Sequence, residues 1–389
     1  MRRACALVTV VAVLASAAAR PIAQQAGAPT EAELVKAVAA LGAFDFSART
    51  VASRTVRRAP AAMAVPVLTR AVTAPGDSYV PFRALVLLTG FGDPATPELM
   101  RTVMTDRNDR LRALAYAWFE HAPVAAVVPR LIEALGTEAS EFVRPSLMRA
   151  LAASGDSRAA AALVPLVSTG ETFFRAELIQ AIGDYRLRAA ASAVLAVAKL
   201  EGPLQEDAVL ALGKLGDTSV LPVLAELQRA VPRERQPAIA AAICLLGVNC
   251  EVHRKYLGDT LAFASANAGY QLLLRSTARA LGALASQGDQ AAFATLLTVG
   301  ATPLEASRAP IALAVGTAAV RRPTALLATL GSGGETTASL AVLRDAFDML
   351  EEDFEEERFF VEVRRVFWNA PEGSPERKIA EAVLQTLEF

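Results

Sequence analysis

Two cysteines six positions apart are the clearest sign of chemistry in the sequence. Cys244 and Cys250 stand on either side of the turn Leu246-Gly247-Val248-Asn249, which joins two helical stretches. In an oxidising compartment, cysteines that flank one such turn can close a short disulfide loop. Two other interpretations remain open: free structural thiols, or a metal site in which His253 completes the pattern C-x5-C-x2-H. A zinc site needs a fourth ligand and the sequence offers none nearby, so we expect the disulfide.

Residues that could form a catalytic group are scarce. The only histidines are His121 and His253, and the sequence contains neither a G-x-S-x-G turn nor an H-E-x-x-H helix. Gly90-Phe91-Gly92 with Ala95 imitates the dinucleotide loop G-x-G-x-x-A, but the equivalent turn Gly213-Lys214-Leu215-Gly216 lacks that pattern. We therefore predict that the chain is not an enzyme and has no catalytic, cofactor-binding or metal-binding residues.

An arginine recurs nine or ten residues before an aspartate that follows a helical run. The pairs are Arg83 and Asp93, Arg175 and Asp184, and Arg279 and Asp289. If these arginines point outward, they line one face of the molecule and are candidates for binding a partner protein. The alternative is that they pair with carboxylates or helix ends of neighbouring repeats, and the sequence leaves both interpretations open.

Acidic residues crowd the C-terminal part of the chain, where Phe347, Leu350 and Phe354 recur at helical spacing. We predict one helix with a solvated acidic face, and capping helices over residues 341–389, because the last repeat of a stacked array must present a polar outer face. Binding of a cation or a basic partner is the alternative, although an EF-hand needs ligands spaced through a loop around a glycine. The acidic residues are Asp345, Asp348, Glu351, Glu352, Asp353, Glu355, Glu356 and Glu357, and the aromatic residues expected to seal the core are Phe359, Phe360, Phe367 and Trp368.

A recurring turn in the sequence indicates which elements position these residues. The segments TGFGD, ASGD, QAIGD, GKLGD and SQGD each close one Ala/Leu/Val-rich helical run and open another. Self-similarity at a period of tens of residues indicates stacked helix pairs. In the clearest unit, Gly216 ends a helix, Asp217 is placed to cap the next helix, and Pro222 falls in the first turns of that helix. No segment alternates as a strand does.

This unit resembles the HEAT repeat family, in particular the short bacterial form also seen in phycobilisome lyase subunits. The resemblance rests on Leu215-Gly216-Asp217 with Pro222 and Leu224, and it covers roughly residues 45–330. It implies an all-α fold, an α-solenoid of stacked antiparallel helix pairs, which we assign to residues 30–340. A tetratricopeptide array is the runner-up, but the aspartates at 156, 184, 217 and 289 are unevenly spaced, and the last interval needs two units.

The N-terminus has the pattern of a secretory signal. Arg2 and Arg3 precede an apolar run, and small residues suited to cleavage follow at Ala17 and Ala19. We predict a signal peptide over residues 1–19 and a linker over residues 20–29. An uncleaved anchor is the alternative, although the apolar run is shorter than a spanning helix needs. Arginine outnumbers lysine and alanine is abundant, which favours a bacterial origin and hence the periplasm or the exterior.

Composition narrows the functional classes further. Hydrophobic residues make up 53% of the chain and aromatics only 6%, so the core must consist of small helix-forming side chains. The net charge of −1 and the lack of a basic block argue against nucleic acid as a partner. The chain after signal cleavage has no predicted membrane span.

Together these features predict an exported, non-enzymatic protein-binding scaffold of the bacterial cell envelope. We expect an elongated curved rod that binds a protein partner along its concave face. The first alternative, implied by the resemblance alone, is a lyase or chaperone-like cofactor handler related to phycobilisome lyase subunits, and export argues against it. The second alternative is a purely structural spacer in an envelope complex.

Overall fold

The computed structural model describes residues 28–74, 79–301, 305–332, 336–350 and 353–387, and these residues form 22 α-helices and no β-strand. The predicted signal peptide and most of the predicted linker lie outside the described residues. The helices are α1 Glu31–Ala40, α2 Phe46–Arg58, α3 Ala61–Thr73, α4 Tyr79–Thr89, α5 Thr96–Val103, α6 Asp109–His121, α7 Val128–Thr137, α8 Arg144–Ala153, α9 Ser157–Leu163, α10 Thr172–Asp184, α11 Ala191–Ala198, α12 Gln205–Leu215, α13 Leu221–Ala230, α14 Gln236–Leu245, α15 Cys250–Ala266, α16 Gln271–Ser286, α17 Gln290–Gly300, α18 Glu305–Arg321, α19 Pro323–Ser332, α20 Thr336–Phe347, α21 Asp353–Asn369 and α22 Pro375–Thr386.

Consecutive helices form antiparallel pairs, and the even-numbered helices from α4 to α20 each pack on the next even-numbered one. We call these the inner helices, because their closer packing places them on the inside of the curve. The predicted fold class, an α-solenoid of HEAT-like helix pairs, is confirmed. The interval between Asp217 and Asp289 holds two pairs, α13 with α14 and α15 with α16, as its length predicts.

Small residues allow the inner helices to approach one another closely. A Cβ placed on Gly183 of α10 would lie 2.8 Å from the Cα of Ala211 on α12. A Cβ on Gly213 of α12 would lie 2.6 Å from the Cα of Ala242 on α14. Real Cβ atoms do not come so near to a backbone atom, so these two glycines are required by the packing. The low aromatic content of the chain follows from this backbone-to-backbone contact.

Four inner helices, α4, α8, α12 and α16, end with a left-handed glycine followed by a capping aspartate. Gly216 has φ +78°, and the Asp217 carboxylate accepts a hydrogen bond from the Ser219 N–H at 2.9 Å. This confirms the capping role predicted for Asp217, because a carboxylate at this position satisfies a backbone donor that the next helix leaves free. The same pair recurs at Gly92 with Asp93, Gly155 with Asp156, and Gly288 with Asp289.

The turn predicted at Gly183-Asp184 is wrong in its register. Both residues lie inside α10, and the left-handed residue that ends this helix is Arg186, with φ +52°. Gly183 is needed for the close approach of α10 to α12. The glycine at this position therefore indicates helix packing and not a turn. Asp184 is consequently free to turn inward.

The array does not form an open rod, because its C-terminal part folds back onto its N-terminal part. Helix α21 contacts α18 and α19 at one end of the array and α4 near the other. The acidic run predicted as one helix is divided: α20 ends at Phe347 and α21 begins at Asp353. The break lets the chain change direction, so Asp345 and Glu357 lie on different helices.

In the described part of the chain, no single helix is both long and apolar enough to cross a membrane. Helices α18 and α19 pass that test together by length and composition, with a bend of 117° between them.

Candidate functional site

A group of buried charges lies between four inner helices, toward their C-terminal ends. Asp184, the last residue of α10, contacts Arg149 of α8, Lys214 of α12 and Arg321 of α18. Its distance to Lys214 Nζ is 2.6 Å, and both side chains are only 8% exposed. Because α18 is four inner helices away from α10, the contact with Arg321 requires the array to curl tightly around this point. We call these four residues the Asp184 cluster.

Burial and the neighbouring charges shift the pKa values of this cluster in opposite directions. Burial would raise the pKa of Asp184, but Arg321, Lys214 and Arg149 together outweigh burial and hold that pKa well below its usual value. Burial lowers the pKa of Lys214, and repulsion by Arg321 adds to this effect, while the attraction of Asp184 opposes it. The attraction of Asp184 therefore only partly compensates Lys214 for its burial.

A second carboxylate extends the cluster toward α6. Glu120 contacts Arg149 at 2.7 Å and also accepts a hydrogen bond from the Tyr185 hydroxyl. Burial raises the pKa of Tyr185, and the nearby Glu120 charge raises it further, so the hydroxyl stays protonated and donates. Two carboxylates thus face three cations. These ion pairs hold inner helices together, since each of the groups is committed to a neighbour on another helix.

The closure of the array rests on charged contacts between α21 and the N-terminal helices. Glu357, which is 2% exposed, pairs with Arg57 of α2. His121 Nε2 of α6 lies 2.6 Å from Glu355 Oε1, and Arg358 lies 2.6 Å from the other Glu355 oxygen. Burial would raise the pKa of Glu355, but His121 and Arg358 lower it to about 2. The acidic face of α21 is therefore in part an internal interface.

The three arginines proposed from sequence as partner contacts each have a partner inside the molecule. Arg83 donates to the Leu41 carbonyl oxygen at 2.7 Å, and Arg175 donates to the Val167 carbonyl oxygen at 2.9 Å. Arg279 pairs with Asp207 of α12. These are the contacts with helix ends and carboxylates that the alternative interpretation describes. A role in partner binding stays a prediction for all three.

A row of side chains, most of them exposed, lies along the edge at which the inner helices begin. Seven successive inner helices, α4 to α16, each have one such residue in the first turn or in the few residues before it: Tyr79, Arg110, Phe142, Phe173, Leu200, Arg233 and Tyr270. We call this row, together with the exposed Leu272 beside Tyr270, the aromatic rim. The rim was not predicted from sequence, although an aromatic or arginine residue near the start of six of these seven helices was a visible signal.

Arginine and aromatic side chains stack on one another along the rim. The Arg110 guanidinium lies 4.6 Å from the centre of the Tyr79 ring and 5.4 Å from that of Phe142. Arg233 lies 5.8 Å from the Tyr270 ring, which packs edge-on against Phe263. Phe142 and Phe173 remain 53% and 59% exposed. The rim is thus a preorganised surface that still presents apolar area to solvent.

The cysteines are joined as predicted, by a disulfide between Cys244 and Cys250. The bond spans the turn between α14 and α15, in which Gly247 and Asn249 both have positive φ. Asp289 lies close to the two sulfurs, and Glu120, His121 and Glu355 form another close group. The sulfurs are committed to each other, and both carboxylates of the second group are paired with arginines. Neither group supports a metal-binding proposal.

Replacing both cysteines with alanine is expected to lower the free energy of unfolding by about 2 kcal/mol, because the unfolded chain regains the entropy of a short closed loop. Urea unfolding of the oxidised protein measures this difference. A reducing agent should bring the unmodified protein to the same midpoint and leave the Cys244→Ala, Cys250→Ala variant unchanged. Two free thiols in the intact mass of the unreduced protein would contradict the disulfide.

The chain matches no protein-family model and no curated protein. Several solved structures are similar to it, and they are helical repeat proteins of the HEAT-like type. YibA of Escherichia coli is 17% identical, with 56% of this chain and 82% of that chain covered and a TM-score of 0.41. The fold is a HEAT-like α-solenoid.

Two further structures are similar at a comparable level. The complex of CpcE and CpcF of phycocyanin lyase from Nostoc sp. PCC7120 is 20% identical, with 67% of this chain and 96% of that chain covered and a TM-score of 0.40. Human deoxyhypusine hydroxylase is 21% identical, with 56% and 96% covered and a TM-score of 0.29. Similarity at this level concerns the repeat architecture, and activity must be argued from this chain's own residues.

Proposed function

We propose that the chain is a non-enzymatic scaffold that binds a protein partner along the aromatic rim. The observation that carries the proposal is the placement of an aromatic, leucine or arginine side chain, exposed at all but Arg110, near the start of seven successive inner helices. Exposed apolar side chains gathered along one edge and flanked by polar residues are typical of protein interaction sites. Tyrosine and arginine are also the residue types enriched in the binding hot spots of protein interfaces.

The rim differs from the binding surface predicted from sequence, which was the concave face. On that face Arg279 pairs with Asp207, and Arg321 pairs with Asp184. A partner would have to replace such ion pairs before it could bind there. At the rim no comparable exchange is needed, because Phe142 and Phe173 are already exposed.

The chemistry of the rim favours a partner segment that carries both apolar and acidic side chains. An arginine stacked between two rings keeps the edges of its guanidinium group available for hydrogen bonds to a carboxylate. Arg110 is placed in this way between Tyr79 and Phe142, with one N–H already donated to the Tyr79 hydroxyl. Apolar side chains of the partner would cover the rings, and carboxylates would bind the guanidinium edges.

A pull-down with two variants tests this proposal. The unmodified protein and the Phe142→Ser, Phe173→Ser variant are used as bait with an extract of the bacterial envelope, and the affinity for each captured protein is then measured. The double substitution is expected to weaken binding by about 30-fold or more, the effect of losing one hot spot of roughly 2 kcal/mol. Both side chains are exposed, so the fold should be retained.

Val252→Ser is the matched control, because Val252 is 67% exposed but lies at the start of α15, on the opposite edge of the array. It should bind as the unmodified protein does. Equal capture by the rim variant and the unmodified protein would refute the rim as the binding surface. A location in the envelope, following the predicted signal peptide, is part of the same proposal.

The second candidate is a cofactor handler related to phycobilisome lyase subunits. The similar structures include a phycocyanin lyase complex and so lie nearer to this candidate than to an envelope scaffold. At a TM-score of 0.40 that similarity concerns the fold, and the candidate needs a test of its own. Co-expression with a bilin chromophore supplies it: visible absorbance that stays with the purified protein would favour the handler, and a colourless protein would favour the scaffold.

A further inference from the structure

The turn after α10 contains a residue that its backbone disfavours. Arg186 has φ +52°, in the left-handed region that side chains other than glycine rarely adopt. The left-handed residue is glycine at five other inner-helix ends: Gly92, Gly155, Gly216, Gly247 and Gly288. A residue kept at such a position against its conformational preference is a reason to look for function.

The turn itself does not require an arginine. The Leu187 N–H donates to the Ile182 carbonyl oxygen at 2.9 Å, closing the helix end across five residues. Val248 closes the end of α14 in the same way, with Gly247 at the left-handed position. Because the hydrogen bonding is the same with glycine, the backbone alone gives no reason for Arg186.

The side chain of Arg186 instead lines a cavity of about 490 Å³. The cavity lies between the C-terminal ends of α10, α12, α14 and α16, and Arg188 lines it as well. Both arginines are exposed, and in the described part of the chain neither guanidinium group forms a hydrogen bond or a salt bridge. The disulfide between Cys244 and Cys250 forms another part of the wall and holds that wall in place. We call this cavity the arginine pocket.

The charge around the arginine pocket is positive. Lys214 also lines it, and the Asp184 cluster with Glu120 holds three cations against two carboxylates. Two carboxylates offset part of this charge: Asp289 faces the pocket but pairs with Arg254 at 3.0 Å, and Asp217 lies near enough to Arg188 for that guanidinium to lower its pKa. The carbonyl ends of the four helices disfavour an anion at the base of the pocket. An anion is therefore most stable at the mouth, between the two arginines.

We propose that the arginine pocket binds an oxyanion, either a carboxylate or a phosphate group, through the guanidinium groups of Arg186 and Arg188. A planar guanidinium donates two parallel hydrogen bonds to such a group, which accounts for arginine at both positions. The site lies on the opposite edge of the array from the aromatic rim and does not depend on the function proposed for the rim.

Titration calorimetry of the full chain with sodium phosphate, and separately with sodium citrate, tests the proposal at constant ionic strength set with sodium chloride. The unmodified protein should bind at least one of the two anions, with a dissociation constant of the order of 1 mM, as a small exposed site of two arginines would give. Phosphate binding alone identifies a phosphate group as the ligand, and citrate binding alone identifies a carboxylate. Binding of neither anion overturns the proposal.

Arg186→Gly is the decisive variant, because it restores the residue found at the five equivalent helix ends. It should weaken anion binding at least tenfold and, without anion, raise the melting temperature by about 2 °C through relief of the left-handed strain. Arg188→Gln should also weaken binding but leave the melting temperature unchanged. The matched control is Arg158→Gln, at the turn edge but outside the pocket, which should bind as the unmodified protein does. Unchanged binding by Arg186→Gly, or an equal loss in the control, overturns the proposal.

Discussion

Replacement of Asp184 by asparagine is expected to lower the free energy of unfolding by about 3–5 kcal/mol, because it leaves buried cations without a counter-charge. Arg149, Lys214 and Arg321 would then repel one another in a site that water reaches poorly. Urea unfolding, followed by circular dichroism, measures the loss. The variant should also unfold less cooperatively, since Asp184 joins α10 to a helix four inner positions away.

Asp217→Asn is the matched control for this substitution. It makes the same chemical change at an exposed turn aspartate, where asparagine caps a helix about as well as aspartate does. Adding Lys214→Met to Asp184→Asn should recover part of the loss, because it removes a buried cation that has lost its counter-charge. An effect of Asp184→Asn no larger than that of Asp217→Asn would show that the cluster contributes little to stability.

The difference in stability between the unmodified protein and Asp184→Asn should change with pH in a direction that the pKa of Asp184 determines. The pKa of Asp184 is lower in the folded protein than in the unfolded chain, so its stabilising effect is complete above the unfolded value of about 4. That effect disappears as the pH falls through the folded pKa, when the carboxylate becomes protonated. The difference in stability between the unmodified protein and Asp184→Asn should therefore be constant near neutral pH and shrink below about pH 4.

Local structure could be predicted from the sequence because each signal acts within a few residues. The bounds of α4 and α12 follow from an apolar stripe, a glycine and a capping aspartate, all adjacent in the chain. The disulfide follows from two cysteines across one turn. Asp184 was misplaced because glycine serves two purposes in this protein: Gly216 permits a left-handed turn, whereas Gly183 permits close helix packing.

Long-range contacts could not be predicted in the same way. The approach of Arg321 to Asp184, and of Glu357 to Arg57, depends on the small rotation between successive helix pairs, summed over many pairs. No single residue pattern encodes that sum. For the same reason the acidic residues of α21 were expected to face solvent, whereas Glu357 is buried against the N-terminal helices. The aromatic rim could have been found from sequence, by aligning the starts of the second helices instead of their ends.

The close packing of the inner helices leads to the second large effect. Gly213→Ala is expected to lower the free energy of unfolding by about 3 kcal/mol, at the upper end of the usual cost of overpacking. The added methyl group would lie 2.6 Å from the Cα and 2.9 Å from the carbonyl oxygen of Ala242. Both are backbone atoms, so no side chain can rotate away, and α12 and α14 must move apart.

Gly136→Ala provides the matched control for Gly213→Ala. Gly136 is also helical, near the end of α7, but a Cβ there would meet no atom within 4 Å. Alanine is the better helix former by about 1 kcal/mol, so this variant should be as stable as the unmodified protein or slightly more so. Ala242→Gly should restore little of the loss in Gly213→Ala, because it removes the Ala242 methyl group but not the clashing backbone. Full recovery in that double variant, or equal stability of Gly213→Ala and Gly136→Ala, would mean that the inner helices are not in backbone contact. The tight curl that brings Arg321 to Asp184 would then need another explanation.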